Sequence, residues 1–313
     1  MRILITGAGS LAKVLAQRLI SEGNEWVALF CNDEFQLAEA EAELLAPGEA
    51  TYKREVARFF LGDIRDYRRV CFAARTADVV LHTAAVKRIE TAEQNPEEAV
   101  DVNIRGTQVV MEACAASGVE QAVFISTDKA CLPISLYGTT KAAAEKLWIG
   151  GTSYYQTKFN VARFGNFVGS RGSVLPMWRK RLESGFTDLP ITDRRMTRFW
   201  TTLASAADLT IKAYTGKSRG VVYIPKSPSF LLTDLADVLG GRRLYVGMRQ
   251  GERLHEIMAH EYEVVADKGS HFVIYPDGKS ATKNKTRYTS KKVTMSQDDI
   301  RGLLGARPGD EHR

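Results

Sequence analysis

Cysteine is scarce in this chain of 313 residues, and none of its four cysteines belongs to a C-x-x-C pair. Cys31, Cys71, Cys114 and Cys131 lie far apart. The spacing excludes a disulfide scaffold, and a chain of this length needs no disulfide or metal to complete its core. The pattern is typical of reduced, mostly buried thiols in a cytoplasmic protein.

Long apolar runs are also absent. No stretch of about 18 apolar residues occurs, which excludes an ordinary transmembrane helix. The N-terminal residues MRILITGAG enter a short apolar run without the basic region and cleavage site of a secretory signal. We therefore expect no signal peptide, a cytoplasmic location and no membrane partner.

Neither sign of charge dominates the composition. Hydrophobic residues make up 44% and charged residues 26%, and 43 basic against 37 acidic residues leave a net charge of +6. These values exclude a disordered chain or a fibre. The mild basic excess fits an anionic ligand as well as a nucleic acid. Six basic residues lie between positions 279 and 292. We interpret this stretch as a solvated loop without nucleic acid, and a phosphate-contacting, partner-binding or nucleic-acid-binding loop is the alternative.

Short apolar runs alternate with segments of helical period through the first 165 residues. Strands that alternate with helices form right-handed crossovers, so the pattern predicts an α/β protein with a Rossmann-like, doubly wound parallel sheet. The predicted strands cover residues 2–6, 26–31, 57–61, 77–82, 121–126 and 160–164, and the predicted helices cover 10–22, 34–45, 103–117 and 137–149.

The pattern loosens after residue 165, where glycine, proline and charged loops separate short helical pieces such as 205–214 and 232–239. We predict a dinucleotide-binding domain over residues 1–165 and a smaller substrate-binding lobe over 166–313. A returning strand of the first domain can interleave with this lobe.

A glycine-rich turn follows the first predicted strand. Its sequence, Gly7-Ala8-Gly9-Ser10-Leu11-Ala12, matches G-x-G-x-x-A. In such a turn Gly7 permits a tight bend, Gly9 leaves room for a pyrophosphate, and Ala12 lets the helix pack closely on the sheet. The turn predicts NAD or NADP binding at Gly7, Gly9, Ser10, Leu11 and Ala12, and a simple glycine turn is the alternative.

Polar residues at the ends of the second and third strands bear on the choice of cofactor. Asp33, beside Asn32, could bind the adenosine ribose of NAD, but it could equally cap the next helix. No arginine stands there to favour NADP, so the choice stays open at this point. Asp63 could accept the adenine amino group, or it could cap a helix.

Tyr137 and Lys141 are four residues apart, so both project from one face of a predicted helix. An ammonium beside a phenol lowers the phenol pKa. The phenolate could then take a proton from a substrate alcohol while a hydride leaves for nicotinamide. The polar strand end Ser126-Thr127-Asp128-Lys129 comes just before this helix.

The glycine turn and Tyr137-x-x-x-Lys141 together resemble the extended short-chain dehydrogenase/reductase superfamily. Longer segments resemble the soluble inverting UDP-N-acetylglucosamine 4,6-dehydratases of pseudaminic-acid-type synthesis. These segments are HTAAVKRIETAEQNP (82–96), VNIRGT (102–107), FISTDKACLPISLYGTTKAAAEKL (124–147), RFGNFVGSRGSVLP (163–176), ITDRRMTRFW (191–200) and RQGERLHEIM (249–258). A UDP-hexose 4-epimerase or 4-reductase on the same scaffold is the alternative.

The resemblance implies a recycled NADP or NAD and a dehydration in three steps. Tyr137, helped by Lys141, deprotonates the C4 hydroxyl as hydride leaves C4. Lys129, as a neutral amine of lowered pKa, removes the C5 proton, and Asp128 protonates the departing C6 hydroxyl. Thr127 hydrogen-bonds the C4 oxygen. The hydride returns to C6, and C5 is reprotonated from the opposite face.

The resemblance also implies the outer residues of the site and a homo-oligomer. Asn103 would brace the catalytic lysine through water, and arginines would grip the diphosphate of a UDP-sugar. Further cofactor contacts are expected at Ile64, Ala84, Lys87 and Asn103. Substrate contacts are expected at Lys87, Glu93, Asn166, Thr192, Met196, Arg198, Arg249 and Glu252.

The sequence departs from the resembled family at several positions, and its histidine spacing argues against a metal site. The glycine turn is one residue short and ends in Ala12, and Asn32 replaces an arginine. Cys131 and Leu132 replace the small residue and the asparagine usual after STDKA, and they could reshape the pocket or alter the outcome at C5. His255 and His260 are five apart, which is about 140° on a helix and the wrong geometry for one zinc ion, so we expect no metal.

Overall fold

The computed structural model describes residues 1–45, 55–278 and 287–305. Part of the basic stretch at 279–292, namely 279–286, lies outside the described residues. The strands are β1 (Arg2–Thr6), β2 (Trp26–Cys31), β3 (Ala57–Leu61), β4 (Val79–His82), β5 (Gln121–Thr127), β6 (Lys158–Phe164), β7 (Asp188–Ile191), β8 (Thr197–Phe199), β9 (Val222–Pro225), β10 (Ser229–Leu231), β11 (Arg242–Tyr245), β12 (Ile257–Ala259), β13 (Val265–Asp267), β14 (His271–Ile274) and β15 (Tyr288–Thr289).

The helices alternate with the first strands as the sequence predicts. They are α1 (Ser10–Ser21), α2 (Glu34–Leu44), α3 (Tyr67–Ala74), α4 (Ile89–Gln94), α5 (Pro96–Val100), α6 (Thr107–Ala116), α7 (Leu136–Gly150), α8 (Val174–Glu183), α9 (Leu203–Thr215), α10 (Leu232–Val238) and α11 (Gln297–Gly305). The predicted helix at 103–117 begins instead as a π-helical turn over Asp101–Gly106, and α6 continues it. Among the described residues, no helix has the length and hydropathy to cross a bilayer.

The main sheet has nine strands in the order β13-β14-β9-β6-β5-β4-β1-β2-β3. The strands from β9 to β3 run parallel, β14 is antiparallel to β9, and β13 is antiparallel to β14. The predicted Rossmann-like parallel sheet is confirmed. β1 lies between β2 and β4, where the direction of winding reverses, and ligands of such sheets bind at this point.

Helices cover both faces of the sheet, which explains why the strand sequences are apolar on both sides. One core packs α1, α2 and α9 against one face, around residues such as Ile5, Leu15 and Ala206. The other packs α3, α6 and α7 against the opposite face, around Phe124 and Trp148. Because the strands from β9 to β3 run parallel, their carboxyl ends lie along one common edge of the sheet.

A third core joins α8, α10 and α11 beside that edge and includes Trp178, Leu235 and Ile300. β9, β13 and β14 come from beyond residue 165 and still belong to the main sheet. The chain thus returns to the sheet after residue 165. The division into domains 1–165 and 166–313 stays a prediction.

Candidate active site

The catalytic candidates follow β5 directly. A 3₁₀ turn over Asp128–Ala130 leads toward α7, whose N-cap Ser135 accepts a hydrogen bond from the backbone of Gly138. A side chain at Gly138 would put its Cβ 2.3 Å from the carbonyl oxygen of Lys129. Glycine is thus required where the helix crosses the turn, and this close approach sets Tyr137 beside the strand end.

Buried Asp128 forms an ion pair with the partly buried Lys129, whose Nζ lies 3.0 Å from Asp128 Oδ1. The second Asp128 oxygen is buried without a hydrogen-bond partner, and Thr127 donates to the first one. On its other side Lys129 Nζ lies 3.3 Å from Glu256 Oε1. Asn166 Oδ1 also faces this amine at 3.5 Å. The structure therefore brings Thr127, Asp128, Lys129 and Asn166 together as predicted.

The pKa of Lys129 contradicts the prediction of a lowered value. Burial lowers it, but the nearby carboxylates of Asp128 and Glu256 outweigh burial and raise the pKa above the ordinary lysine value. Burial raises the pKa of Asp128. The raised pKa favours the ammonium form of Lys129 in the protein without substrate.

Tyr137 also differs from its prediction. Burial raises its pKa, while Lys129 and a hydrogen bond with Thr127 pull the value down. Lys141 points elsewhere: its Nζ donates to the Ile125 carbonyl at 2.7 Å and lies 3.8 Å from the Phe124 ring centroid. The cation that moderates the phenol is thus Lys129. Burial lowers the pKa of Lys141 to about 7.

Asn103 braces the helix that carries Lys141. Its side-chain oxygen accepts from the Val86 amide at 2.8 Å, and its nitrogen donates to the Val86 carbonyl and to Thr140. The amide therefore clamps the loop after β4 to α7, one residue from Lys141. It comes from the π-helical turn, a feature often found at functional sites.

The glycine turn has the geometry that the motif predicts. Gly7 has φ 91°, and a Cβ there would lie 2.7 Å from Thr83 Oγ1 and 3.2 Å from the Ala84 nitrogen. A Cβ on Gly9 would meet no atom within 4 Å. The N-terminus of α1 thus faces open space at this glycine, while Leu11 and Ala12 are buried in the core.

The strand-end carboxylates are already engaged by neighbouring residues. Asp33 caps α2, since its side chain accepts from the amides of Phe35 and Gln36. Asp63 pairs with Arg65, whose Nη2 lies 2.7 Å from Oδ2, and it also accepts from Asn32. The helix-cap alternative therefore holds for Asp33, whereas Asp66 and not Asp63 caps α3.

A cavity of about 580 Å³ lies beside these residues. It is lined by Asn32, Asp33, Glu34, Phe35, Gln36 and Leu61. Ile64 is buried nearby, where a Cβ on Gly106 would lie 2.7 Å from its Cδ1.

Two predicted contact residues, Lys87 and Ser10, both form hydrogen bonds with the backbone of Arg171. Lys87 Nζ donates to the Arg171 carbonyl at 3.2 Å, and Ser10 Oγ accepts from the Arg171 amide at 3.3 Å. The Arg171 side chain pairs with Glu39 on α2. The loop after β6 thus crosses the glycine turn, which the sequence analysis did not predict.

Five of the predicted substrate residues, Thr192, Met196, Arg198, Arg249 and Glu252, fall into two groups. Thr192 Oγ1 and Arg198 Nη2 both point at the buried sulfur of Met196, and Arg198 Nε lies 3.5 Å from Glu256 Oε1. Arg249 lies at a second place, where it pairs with Glu90 on the surface and its amide donates to Glu252. The two groups belong to different segments of the lobe.

The loop of Arg249 and Glu252 packs against the catalytic helix. Gly251 has φ 78°, and its Cβ would lie 2.9 Å from Cβ of Ser135. Glu93 accepts a hydrogen bond from the Leu136 amide at 2.7 Å. Glu93 therefore caps the N-terminus of α7 in this structure, directly before Tyr137.

Sequence reasoning missed Glu256, which is buried and contacts Lys129. The residue stood out only within the His255-Glu256…His260 pattern, which we set aside as a metal motif. The two imidazoles have different neighbours: His255 is 2.8 Å from Thr197 Oγ1, and His260 lies beside Glu263 and Tyr262. One sequence signal could have identified Glu256: it is an acidic residue in the segment RQGERLHEIM and comes directly before a strand.

Comparison with known proteins agrees with the resemblance found in the sequence. Residues 3–275 match the family described as polysaccharide biosynthesis protein. The UDP-N-acetylglucosamine 4,6-dehydratase (inverting) of Campylobacter jejuni subsp. jejuni serotype O:2 is 41% identical over 82% of this chain and 76% of its own. The UDP-glucose 4-epimerase of Rickettsia bellii (strain OSU 85-389) is 32% identical over 95% of this chain and 89% of its own. The X-ray structure of Pen from Bacillus thuringiensis superposes with a TM-score of 0.89 at 31% identity, covering 97% of this chain and 96% of that one.

Proposed function

Because the chain belongs to the polysaccharide biosynthesis protein family, we propose that it is a nucleotide-sugar 4,6-dehydratase that acts on UDP-N-acetylglucosamine with inversion at C5. The observation that carries the proposal is the ion pair between buried Asp128 and Lys129 beside buried Tyr137. Water elimination needs an acid and a base in addition to the group that deprotonates C4, and these side chains offer all three.

The glycine turn fits a nicotinamide dinucleotide. Gly9 opens the N-terminus of α1 to a pyrophosphate, and Gly7 lets the turn pass close to Thr83. Gly7, Gly9, Ser10, Leu11 and Ala12 would hold the phosphates, and Asn32, Asp63, Ile64 and Ala84 would line the nucleoside. When bound, the nicotinamide supplies the acceptor and later the donor of hydride.

NADP is the dinucleotide that we propose. The Asp33 carboxylate that would accept from the ribose of NAD is committed to capping α2. The family resemblance favours NADP as well. Identification of the dinucleotide that co-purifies with the protein tests this choice.

Tyr137 is the proposed base for the C4 hydroxyl. Its burial disfavours the phenolate, but the hydrogen bond with Thr127 and the Lys129 ammonium favour it. Lys141, four residues along the same helix, would position the cofactor ribose from its place beneath the strand end. A ketone at C4 then acidifies the proton at C5.

The Asp128–Lys129 pair would supply the second proton transfer. One proton that moves over the 3.0 Å from Lys129 to Asp128 converts carboxylate and ammonium into carboxylic acid and amine, with no change in net charge. A sugar that expels water favours this neutral pair, because ion pairs lose more solvation than neutral groups do. The amine can take the C5 proton, and the acid can protonate the leaving C6 hydroxyl.

A UDP-hexose 4-epimerase is the second candidate, since the relative from Rickettsia bellii carries that name. Epimerisation at C4 requires the tyrosine and the cofactor but no acid–base pair for elimination. The buried pair at Asp128 and Lys129 therefore favours the dehydratase. A cytoplasmic location and a homo-oligomer stay predictions.

Incubation with UDP-N-acetylglucosamine in deuterium oxide, followed by NMR, tests the proposal. We expect a 4-keto-6-deoxy product that carries deuterium at C5. A 4-epimer without deuterium at C5 would establish the alternative. The same incubation is repeated with other UDP- and dTDP-hexoses. If all of these sugars are recovered unchanged, both enzyme activities are rejected.

A further inference from the structure

Glu256 is the buried acid that the reaction described above does not use. It lies directly before β12, is 2% exposed, and places Oε1 3.3 Å from Lys129 Nζ and 3.5 Å from Arg198 Nε. Its other oxygen is buried without a hydrogen-bond partner. Such an oxygen is costly to bury, so the fold gives up stability to keep a carboxylate at this point.

Two hydrogen bonds fix the main chain of Glu256. The Glu256 amide donates to Ser290 Oγ at 2.9 Å, and the Ser290 amide donates to the Glu256 carbonyl at 2.9 Å. Lys129, by contrast, carries its amine at the end of a long flexible side chain. We infer that Glu256, whose main chain is anchored, helps to determine where this amine lies.

The charges around Glu256 come from three segments. Lys129 approaches from the turn after β5, Arg198 comes from β8, and Arg253 acts on Glu256 from the preceding loop. Asp128 lies on the far side of Lys129. Two carboxylates thus contact one ammonium. Lys129 first, and then Arg198 and Arg253, lower the pKa of Glu256 against the effect of its burial, while burial raises the pKa of Asp128.

We propose that Glu256 is a positioning residue that holds the Lys129 ammonium beside Asp128 in the enzyme without substrate. This role rests on the proposed function. Glu256 holds Nζ by a second contact besides that with Asp128, so that the amine is already in place when the sugar arrives. Because its charge favours protonation of both neighbours, it also determines the pH range in which Asp128 and Lys129 share one proton.

Three variants separate this role from a structural one. Glu256→Gln keeps the shape of the side chain and removes its charge. Glu256→Asp keeps the charge but, being one methylene shorter, moves it away from Lys129. Glu263→Gln is the matched control, because Glu263 is a largely buried partner of Arg163 on the same part of the chain and has no contact with Lys129.

The first measurement is substrate-free. The rate at which acetic anhydride labels Lys129 is followed by mass spectrometry at fixed pH, with Lys226 as internal reference. The free-amine fraction rises tenfold for each unit by which the pKa falls. We therefore expect labelling about tenfold faster in Glu256→Gln, for a loss of about one unit. Glu263→Gln should label as the wild type does, and Glu256→Asp should lie in between.

The second measurement is turnover of UDP-N-acetylglucosamine against pH. Removal of a negative charge lowers the pKa of both members of the pair, so both limbs of the profile should move about one unit to lower pH in Glu256→Gln. We expect kcat to fall at least tenfold with KM within about threefold, and Glu256→Asp to recover part of the loss. Glu263→Gln should keep the wild-type profile.

Unchanged Lys129 labelling in folded Glu256→Gln would overturn the proposal, and so would faster labelling with an unaltered kcat and pH profile. If Glu256→Gln does not fold, Glu256→Asp decides, and wild-type labelling together with wild-type kcat would then refute the role. A wild-type protein inert on nucleotide sugars would sink the proposed function instead, while labelling would still decide whether Glu256 holds the ammonium.

Discussion

The catalytic end and the nucleotide end of the same sheet edge hold their charges in opposite ways. At the proposed catalytic end, Lys129 contacts both Asp128 and Glu256, and the two carboxylates are buried. At the nucleotide end, Asp63 and Arg65 form a partly exposed pair that reaches Glu98 on the surface. One edge thus combines a rigid buried cluster with a solvated one.

The two ends differ in how much their ion pairs contribute to the free energy of unfolding. Exposed ion pairs contribute about 0–1 kcal/mol, because water and salt screen them. Loss of one partner from a buried pair costs about 3–5 kcal/mol, because an uncompensated charge is left behind. A buried cluster is costly to keep but preorganised for proton transfer, whereas a solvated one can rearrange around a ligand.

The largest effect is expected from Lys129→Ala. It removes the proposed C5 base, so kcat should fall by about 10³-fold. It also leaves Asp128 and Glu256 without their shared cation, which should lower the free energy of unfolding by about 3 kcal/mol. Turnover by NMR and urea unfolding measure the two losses. Full turnover would disprove the base assignment, and unchanged stability would show that the cluster is not tightly coupled.

A smaller, pH-dependent effect is expected at Lys141. Burial lowers its pKa to about 7, so between pH 7 and the ordinary lysine value the unfolded chain binds a proton that the folded chain does not. Stability therefore rises with pH there, by at most about 1.4 kcal/mol per unit. Lys141→Met should remove this slope in urea titrations at pH 7, 8 and 9. Equal slopes in both proteins would show that Lys141 keeps an ordinary pKa.

The smallest effect is expected from Arg65→Ala at the nucleotide end. The Arg65 side chain is about a third exposed, so its ion pairs should contribute under about 1 kcal/mol. Urea unfolding at low and high salt measures this loss, which should shrink as salt increases. A loss near that of Lys129→Ala would erase the contrast between the two ends.

Much of the framework was accessible from sequence pattern alone. Strands β1, β2 and β3 have the predicted bounds, because buried parallel strands read as uninterrupted apolar runs between turns. Asp128, Lys129 and Tyr137 met as predicted, since only a short turn and the start of α7 separate them. Short amphipathic helices such as α3 and α8 were missed because their apolar stripes are brief.

Local pattern therefore determined the strands, the glycine turn and the place of the proposed catalytic residues, because these depend on neighbours within about ten residues. Tertiary structure alone decided the charge states. Glu256 reaches Lys129 from 127 positions away, Lys141 turns toward the Ile125 carbonyl instead of Tyr137, and Asp33 is taken up by a helix cap. Proton affinity depends on burial and on every charge nearby, and the folded chain gathers those from segments that no local motif connects.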